Sequence, residues 1–88
     1  MLNLNYDSAY DILNISLCDN HNSIGCEEYG GLVVMRDYDT REITGLMLYG
    51  FIDKYKNQSI PNFPNEIDIT IEKDILPAFP LKYSCLLT

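Results

Sequence analysis

The residues of this chain whose types could do chemistry fall into three groups. Cys18, His21 and Cys26 follow one another at gaps of two and then four residues, and Cys85 could add a fourth ligand. Thiolates and an imidazole are what a tetrahedral zinc site uses. The close Cys-x-x-Cys pair that usually anchors such a site is missing, so this set is a weak metal candidate and no cofactor is expected. His21 is the only histidine in the chain, and nothing in the sequence orients it to activate a cysteine. Asp7 and Asp11 stand four apart beside Tyr6 and Tyr10. Such a carboxylate pair can do acid–base work or hold a hard cation. Its commoner use is local: Asp7 capping a turn, Asp11 anchoring a backbone amide or a tyrosine hydroxyl. Neither histidine nor glutamate lies nearby to complete a catalytic set. Asp37-Tyr38-Asp39 begins like a calcium loop, then places Arg41 at a ligand position and Glu42 where glycine is required. It reads as a turn whose acids are neutralised locally by Arg36 and Arg41. Gly30-Gly31 precedes a strand, so it cannot be a phosphate cradle that opens a helix. No enzymatic activity is expected.

The bulk composition points to a different kind of function. The chain has 88 residues, with 13 acidic against 6 basic side chains and a net charge of -7. Phosphate binding needs clustered Lys and Arg, so direct nucleic-acid binding is not expected. Anionic membrane surfaces are disfavoured for the same reason. A basic protein partner fits, for instance a nucleic-acid enzyme whose cleft an acidic protein could block. Seven tyrosines and no tryptophan make tyrosine the main aromatic recognition group. The candidates for protein binding are Tyr29, Tyr38 and Tyr55 with the acids Glu27, Glu28, Asp37 and Asp39. The alternative for these tyrosines is the rim of the core, rings packed and hydroxyls solvated. An odd number of cysteines, with no secretory signal and no membrane-spanning run, fits free thiols in the cytoplasm.

These residues need elements to position them. An apolar fraction of 47% supports one core in one domain. Residues 30–51 read as a β-hairpin, two apolar runs around a polar break at 37–42. Both runs are apolar at consecutive positions, so both faces of the hairpin need cover. The 66–72 strand or the helical segment after Phe51 can supply one cover, and a partner surface is expected if a second is absent. Residues 10–18 alternate as a half-buried strand, and 24–29 as an edge strand carrying Glu27 and Glu28. Gly45 in mid-strand implies something bulky or a bend close by, with the ring of Tyr6 or Tyr10 as a candidate occupant. Residues 3–7 read as a polar lead-in and 50–57 as a helix of one or two turns. The expected layout is a core over 6–56, an extended Pro-containing connector over 57–65, a C-terminal strand over 66–72 and an irregular tail over 73–88. The fold class is mainly β or α+β, a small antiparallel sheet of four or five strands with one short helix.

The run Tyr6-Asp7-Ser8-Ala9-Tyr10-Asp11, followed by the alternating Ile12-Leu13-Asn14-Ile15, resembles the opening of the YuzE-like family of small bacterial proteins of unknown function. The second half of the resemblance is an aliphatic strand running into Asp37-Tyr38-Asp39, then Glu42, Ile43 and Gly45. It covers residues 6–51. Asn14 stands where tyrosine is common in that family, and residues 57–88 extend past the alignable part. The resemblance implies a strand-rich cytoplasmic protein without an established activity. Some family members resemble antitoxin partners of small ribonuclease-like toxins, and this favours protein binding. The expected function is therefore a non-enzymatic protein-binding module, an antitoxin or acidic inhibitor in its concrete form. The alternatives are a homo-oligomeric structural protein and a small-molecule or metal-binding protein.

Overall fold

The computed structural model describes residues 3–18, 23–27 and 30–87. Its strands are β1 (Asn3–Asp7), β2 (Ile12–Ser16), β3 (Ser23–Glu27), β4 (Leu32–Asp37) and β5 (Ile43–Tyr49), followed by helix α1 (Phe51–Lys56). They form one five-stranded sheet in the order β1-β2-β5-β4-β3. Every neighbouring pair is antiparallel. The hairpin read from the sequence is β4–β5, and β5 is the central strand.

Alternation decides which face is buried. Leu13 and Ile15 on β2, Leu32 and Val34 on β4, and Leu46 and Leu48 on β5 are all at most 2% exposed. Phe51 and Ile52 of α1, with Ile75 and Phe79 beyond it, close over that face. The rings form a continuous cluster, Tyr6 to Phe79 at 5.2 Å, Phe51 to Phe79 at 5.6 Å and Tyr6 to Tyr83 at 5.1 Å between centroids. Tilted and edge-on contacts of this kind add to what area burial alone provides.

The fifth strand is not the expected one. Residues 3–7, read as a polar lead-in, are edge strand β1, with Leu4 and Tyr6 turned to the core and Asn3, Asn5 and Asp7 turned away. Residues 66–72, read as a strand, pair with no strand. A short π-helical stretch, Ile71–Ile75, begins there instead. Thr70 stops any strand by local bonding. Its Oγ1 accepts from the Lys73 amide at 3.1 Å, and its own amide donates to Asp74 Oδ2 at 2.9 Å. A reciprocal cap of this form satisfies the backbone without a sheet neighbour. Ile67, Ile69 and Ile71 still pack against the core, so their spacing reports burial and not pairing. The tail is likewise more ordered than expected, since Leu81–Leu87 forms a 3-10 helix.

Of the two readings of Gly45, the bend holds and the aromatic neighbour does not. A Cβ there would lie 2.6 Å from the Ile15 carbonyl oxygen, so main chain and not a tyrosine ring excludes a side chain. Tyr10 is 75% exposed in the β1–β2 turn, and Tyr6 is buried on the core face. The β4–β5 register slips between Met35 and Arg36: Met35 faces Gly45 and Arg36 faces Ile43, leaving Thr44 as the extra residue. A bulge of this kind bends and twists its strand.

Candidate interaction site

The acidic groups near the N-terminus have structural duties. Asp11 sits in the β1–β2 turn with φ of 55°. Its carbonyl accepts from the amides of Gly50 at 2.7 Å and Phe51 at 3.1 Å. Its carboxylate accepts from the Ile52 amide at 2.9 Å and the Asp53 amide at 3.3 Å. The residue that precedes α1 is Gly50, which has no side chain to cap with, so Asp11 supplies the cap from a distant turn. Tyr6 completes the arrangement, its hydroxyl donating to Asp11 Oδ1 at 2.6 Å. Burial first, and then this bond to a carboxylate, push the Tyr6 hydroxyl pKa above its ordinary value. Asp7 serves a separate turn, accepting from the Ala9 amide at 3.0 Å. Both carboxylates do what their turn positions suggest.

The hairpin tip is also a structural turn. Asp37 Oδ1 accepts from the amides of Asp39 at 2.8 Å and Thr40 at 2.9 Å, and Arg41 adopts φ of 67°. Arg41 lies over the Tyr38 ring, its guanidinium carbon 5.8 Å from the centroid. Arg36 has a role that local charge reading missed. It grips Glu66 with two hydrogen bonds, at 2.9 and 3.0 Å, and ties β4 to the chain beyond α1. Those bonds hold the Glu66 carboxyl below its ordinary pKa.

The three cysteines of the metal candidate set stand on separate parts of the fold. Among the described residues no three His, Cys, Asp or Glu side chains gather at metal-binding spacing. Cys18 follows β2, Cys26 is on β3 beyond both β5 and β4, and Cys85 is in the C-terminal 3-10 helix. All three are exposed. His21 lies outside the described residues.

The described protein-binding candidates divide between the two ends of the β3–β4 pair and α1. Glu27 faces Val33 at one end of the β3–β4 pair, and Asp37, Tyr38 and Asp39 are at the other end. Tyr55 is half-buried on α1 with its ring 6.3 Å from that of Phe51, so it takes the core-rim alternative. Glu28 and Tyr29 lie outside the described residues.

The structure brings a different set together, on the sheet face opposite the core. Cross-strand partners run across it in rows: Asp7, Ile12 and Tyr49, then Asn5, Asn14, Met47, Val33 and Glu27, then Asn3, Ser16, Gly45, Met35 and Gly25. Ile12, Val33, Met35 and Met47 are half-exposed, and Tyr49 is 44% exposed. The charges on this face are Asp7, Glu27 and Asp37, and no Lys or Arg stands among its described strand positions. Lys54 reaches the end of β5 from α1, where its Nζ donates to the Tyr49 carbonyl at 2.8 Å. A depression of about 200 Å³ lies in this face, bounded by Asn14, Ser16, Ser23, Met35, Gly45 and Met47. The sequence signal for this surface was the demand for cover on both sides of the hairpin.

A larger open trough of about 1060 Å³ runs along the connector on the other side, lined by Ile60, Phe63, Ile67 and Ile69. It has charge of both signs, Lys56 and Glu72, and its isoleucines already pack against the core. No helix among the described residues is long and apolar enough to cross a membrane. Comparison with protein-family models, with curated proteins and with solved structures returned no match.

Proposed function

We propose that this chain is a non-enzymatic protein-binding module that engages a basic protein through the open face of its sheet. The observation that carries this reading is the make-up of that face. Half-exposed Ile12, Val33, Met35 and Met47 adjoin Tyr49, and the only charges among its described positions are Asp7, Glu27 and Asp37. Uncovered apolar area whose own strand positions carry one sign of charge favours a partner of opposite sign. The net charge of -7 adds a longer-range attraction. Asp7 and Asp11, the carboxylates best spaced for chemistry, are engaged in backbone capping, which supports a binding role over a catalytic one.

An antitoxin or inhibitor of a nucleic-acid-acting enzyme is the concrete form we favour, because such enzymes present basic clefts. The resemblance of residues 6–51 to the YuzE-like family supports the same form. We place the protein in the cytoplasm, where the exposed thiols Cys18, Cys26 and Cys85 stay reduced. The test is co-expression with the products of neighbouring genes, followed by affinity purification. A basic protein should co-purify in fixed stoichiometry and be released by raised salt. Failure of every neighbour to co-purify would sink the proposal. The connector trough favours a second reading, binding of an apolar small molecule. Native mass spectrometry that finds only the bare chain mass would remove it. Homo-oligomerisation through the open face is disfavoured because a second copy would bring acid against acid.

A further inference from the structure

Resting on that reading, we infer that the depression at the β4–β5 bulge is an anchor pocket, which takes one apolar side chain flanked by Lys or Arg from a partner protein. The floor is fixed. Gly45 lies so close to the Ile15 carbonyl that a Cβ would stand 2.6 Å from its oxygen, so this position stays bare of side chain. Thr44, the unpaired residue of the bulge, is 7% exposed and pins the neighbouring strands. Its Oγ1 donates to the Met35 carbonyl at 3.3 Å and lies 2.7 Å from Ser23 Oγ.

The walls, by contrast, can adapt. Met35 and Met47 flank the bare glycine and are both half-exposed. Thioether side chains are unbranched and polarisable, so they close around aliphatic and aromatic shapes alike. The volume of about 200 Å³ suits one leucine, isoleucine or phenylalanine side chain and is too small for a folded element. Interface energy concentrates in anchors of this kind, seated in a desolvated pocket and surrounded by weaker contacts.

Charge selects the occupant. Glu27 faces Val33 and Asp7 faces Ile12, with no cation among the described strand positions of the face. A second copy of this chain would present the same acids, so it is a poor occupant. A partner segment with cations either side of its anchor would neutralise them. Binding should therefore weaken as salt rises, while the apolar anchor keeps part of the affinity.

The test uses the full chain, labelled with nitrogen-15 and titrated with an amphipathic helical peptide of leucine and lysine. A scrambled peptide of the same composition is the control. Shift changes should centre on Gly45, Met35 and Met47, and the scrambled peptide should bind more weakly. Ser16→Phe plugs the depression from an exposed strand position and should weaken binding by about tenfold or more. If Ser16→Phe does not keep the wild-type circular dichroism, Met47→Lys is read in its place with the same expectation. Shift changes confined to the trough at 60–71 or to the hairpin tip would overturn the anchor pocket. Undiminished binding by the plugged variant would do so too, and both leave the protein-binding reading standing. No binding of either peptide at low salt would remove that reading as well. A dimer seen by sedimentation, and dissolved by Ser16→Phe, would make a second copy the occupant and overturn the inference.

Discussion

The two faces of the sheet are built from the same strands with the same backbone, yet they have opposite fates. On the core face Leu13, Val34 and Leu48 are 0% exposed beneath α1, Ile75 and Phe79. On the open face their immediate chain neighbours Ile12, Val33 and Met47 stay half-exposed, and Tyr49 is 44% exposed. Hydrophobicity does not separate these sets, since valine and isoleucine occur on both. What separates them is the helix and C-terminal segment that Asp11, Phe51 and the Arg36–Glu66 pair hold against one side. Stability should therefore reside on the core face and recognition on the open one.

The largest effect should come from breaking the core face at its helix. Phe51→Ala removes a ring that is 0% exposed and contacts Tyr6, Tyr55 and Phe79, and should cost about 3–5 kcal/mol in urea denaturation. Asp11→Ala should come next, at about 1–3 kcal/mol. It removes the cap of α1 and leaves the Tyr6 hydroxyl without its acceptor. Tyr6 also predicts a pH dependence. Its folded pKa is raised above the ordinary value of 10.0, so the neutral ring stabilises the folded state fully below that value. That contribution should fall away as pH rises through the alkaline range, and Tyr6→Phe should blunt the fall in denaturation midpoint.

On the open face the same assay should barely respond. Met47→Lys alters a half-exposed strand position and should change stability by no more than about 0.5–1 kcal/mol, while weakening partner binding by about tenfold or more. A large loss of stability would mean that the two faces are not functionally divided. The smallest effect belongs to the Arg36–Glu66 pair, whose carboxylate is solvent-exposed. Glu66 has a lowered folded pKa, so its contribution is present above the unfolded value of 4.5 and lost as pH falls through the folded one. Glu66→Gln should slightly flatten the acid limb of the stability profile, and added salt should mask the difference.

Much of this division was legible in the residues. Strand β2, the β4–β5 hairpin and α1 follow from alternation, turn residues and helical spacing. The duties of Asp7, Asp11 and Asp37 follow from their places in turns. Strand β1 was missed because an edge strand with Asn3, Asn5 and Asp7 on one face reads as loop. Residues 66–72 misled because isoleucines at every second position are buried equally by a sheet or by an extended segment laid on a core. Cys18 and Cys26 are near one another only along the chain, since β5 and β4 stand between β2 and β3.

What the sequence alone determined is local: period-two burial, turn chemistry, the acidic balance, and the need for cover on both faces of the hairpin. Each depends on residues a few positions apart, where covalent connection keeps partners close. Which face received its cover, and which five strands share the sheet, depends on contacts between distant parts of the chain. The physical reason is distance along the chain. The Asp11 cap reaches amides 41 and 42 positions away, and Arg36 finds Glu66 30 positions away. Such contacts leave no periodic trace, and the uncovered face is what remains after they form.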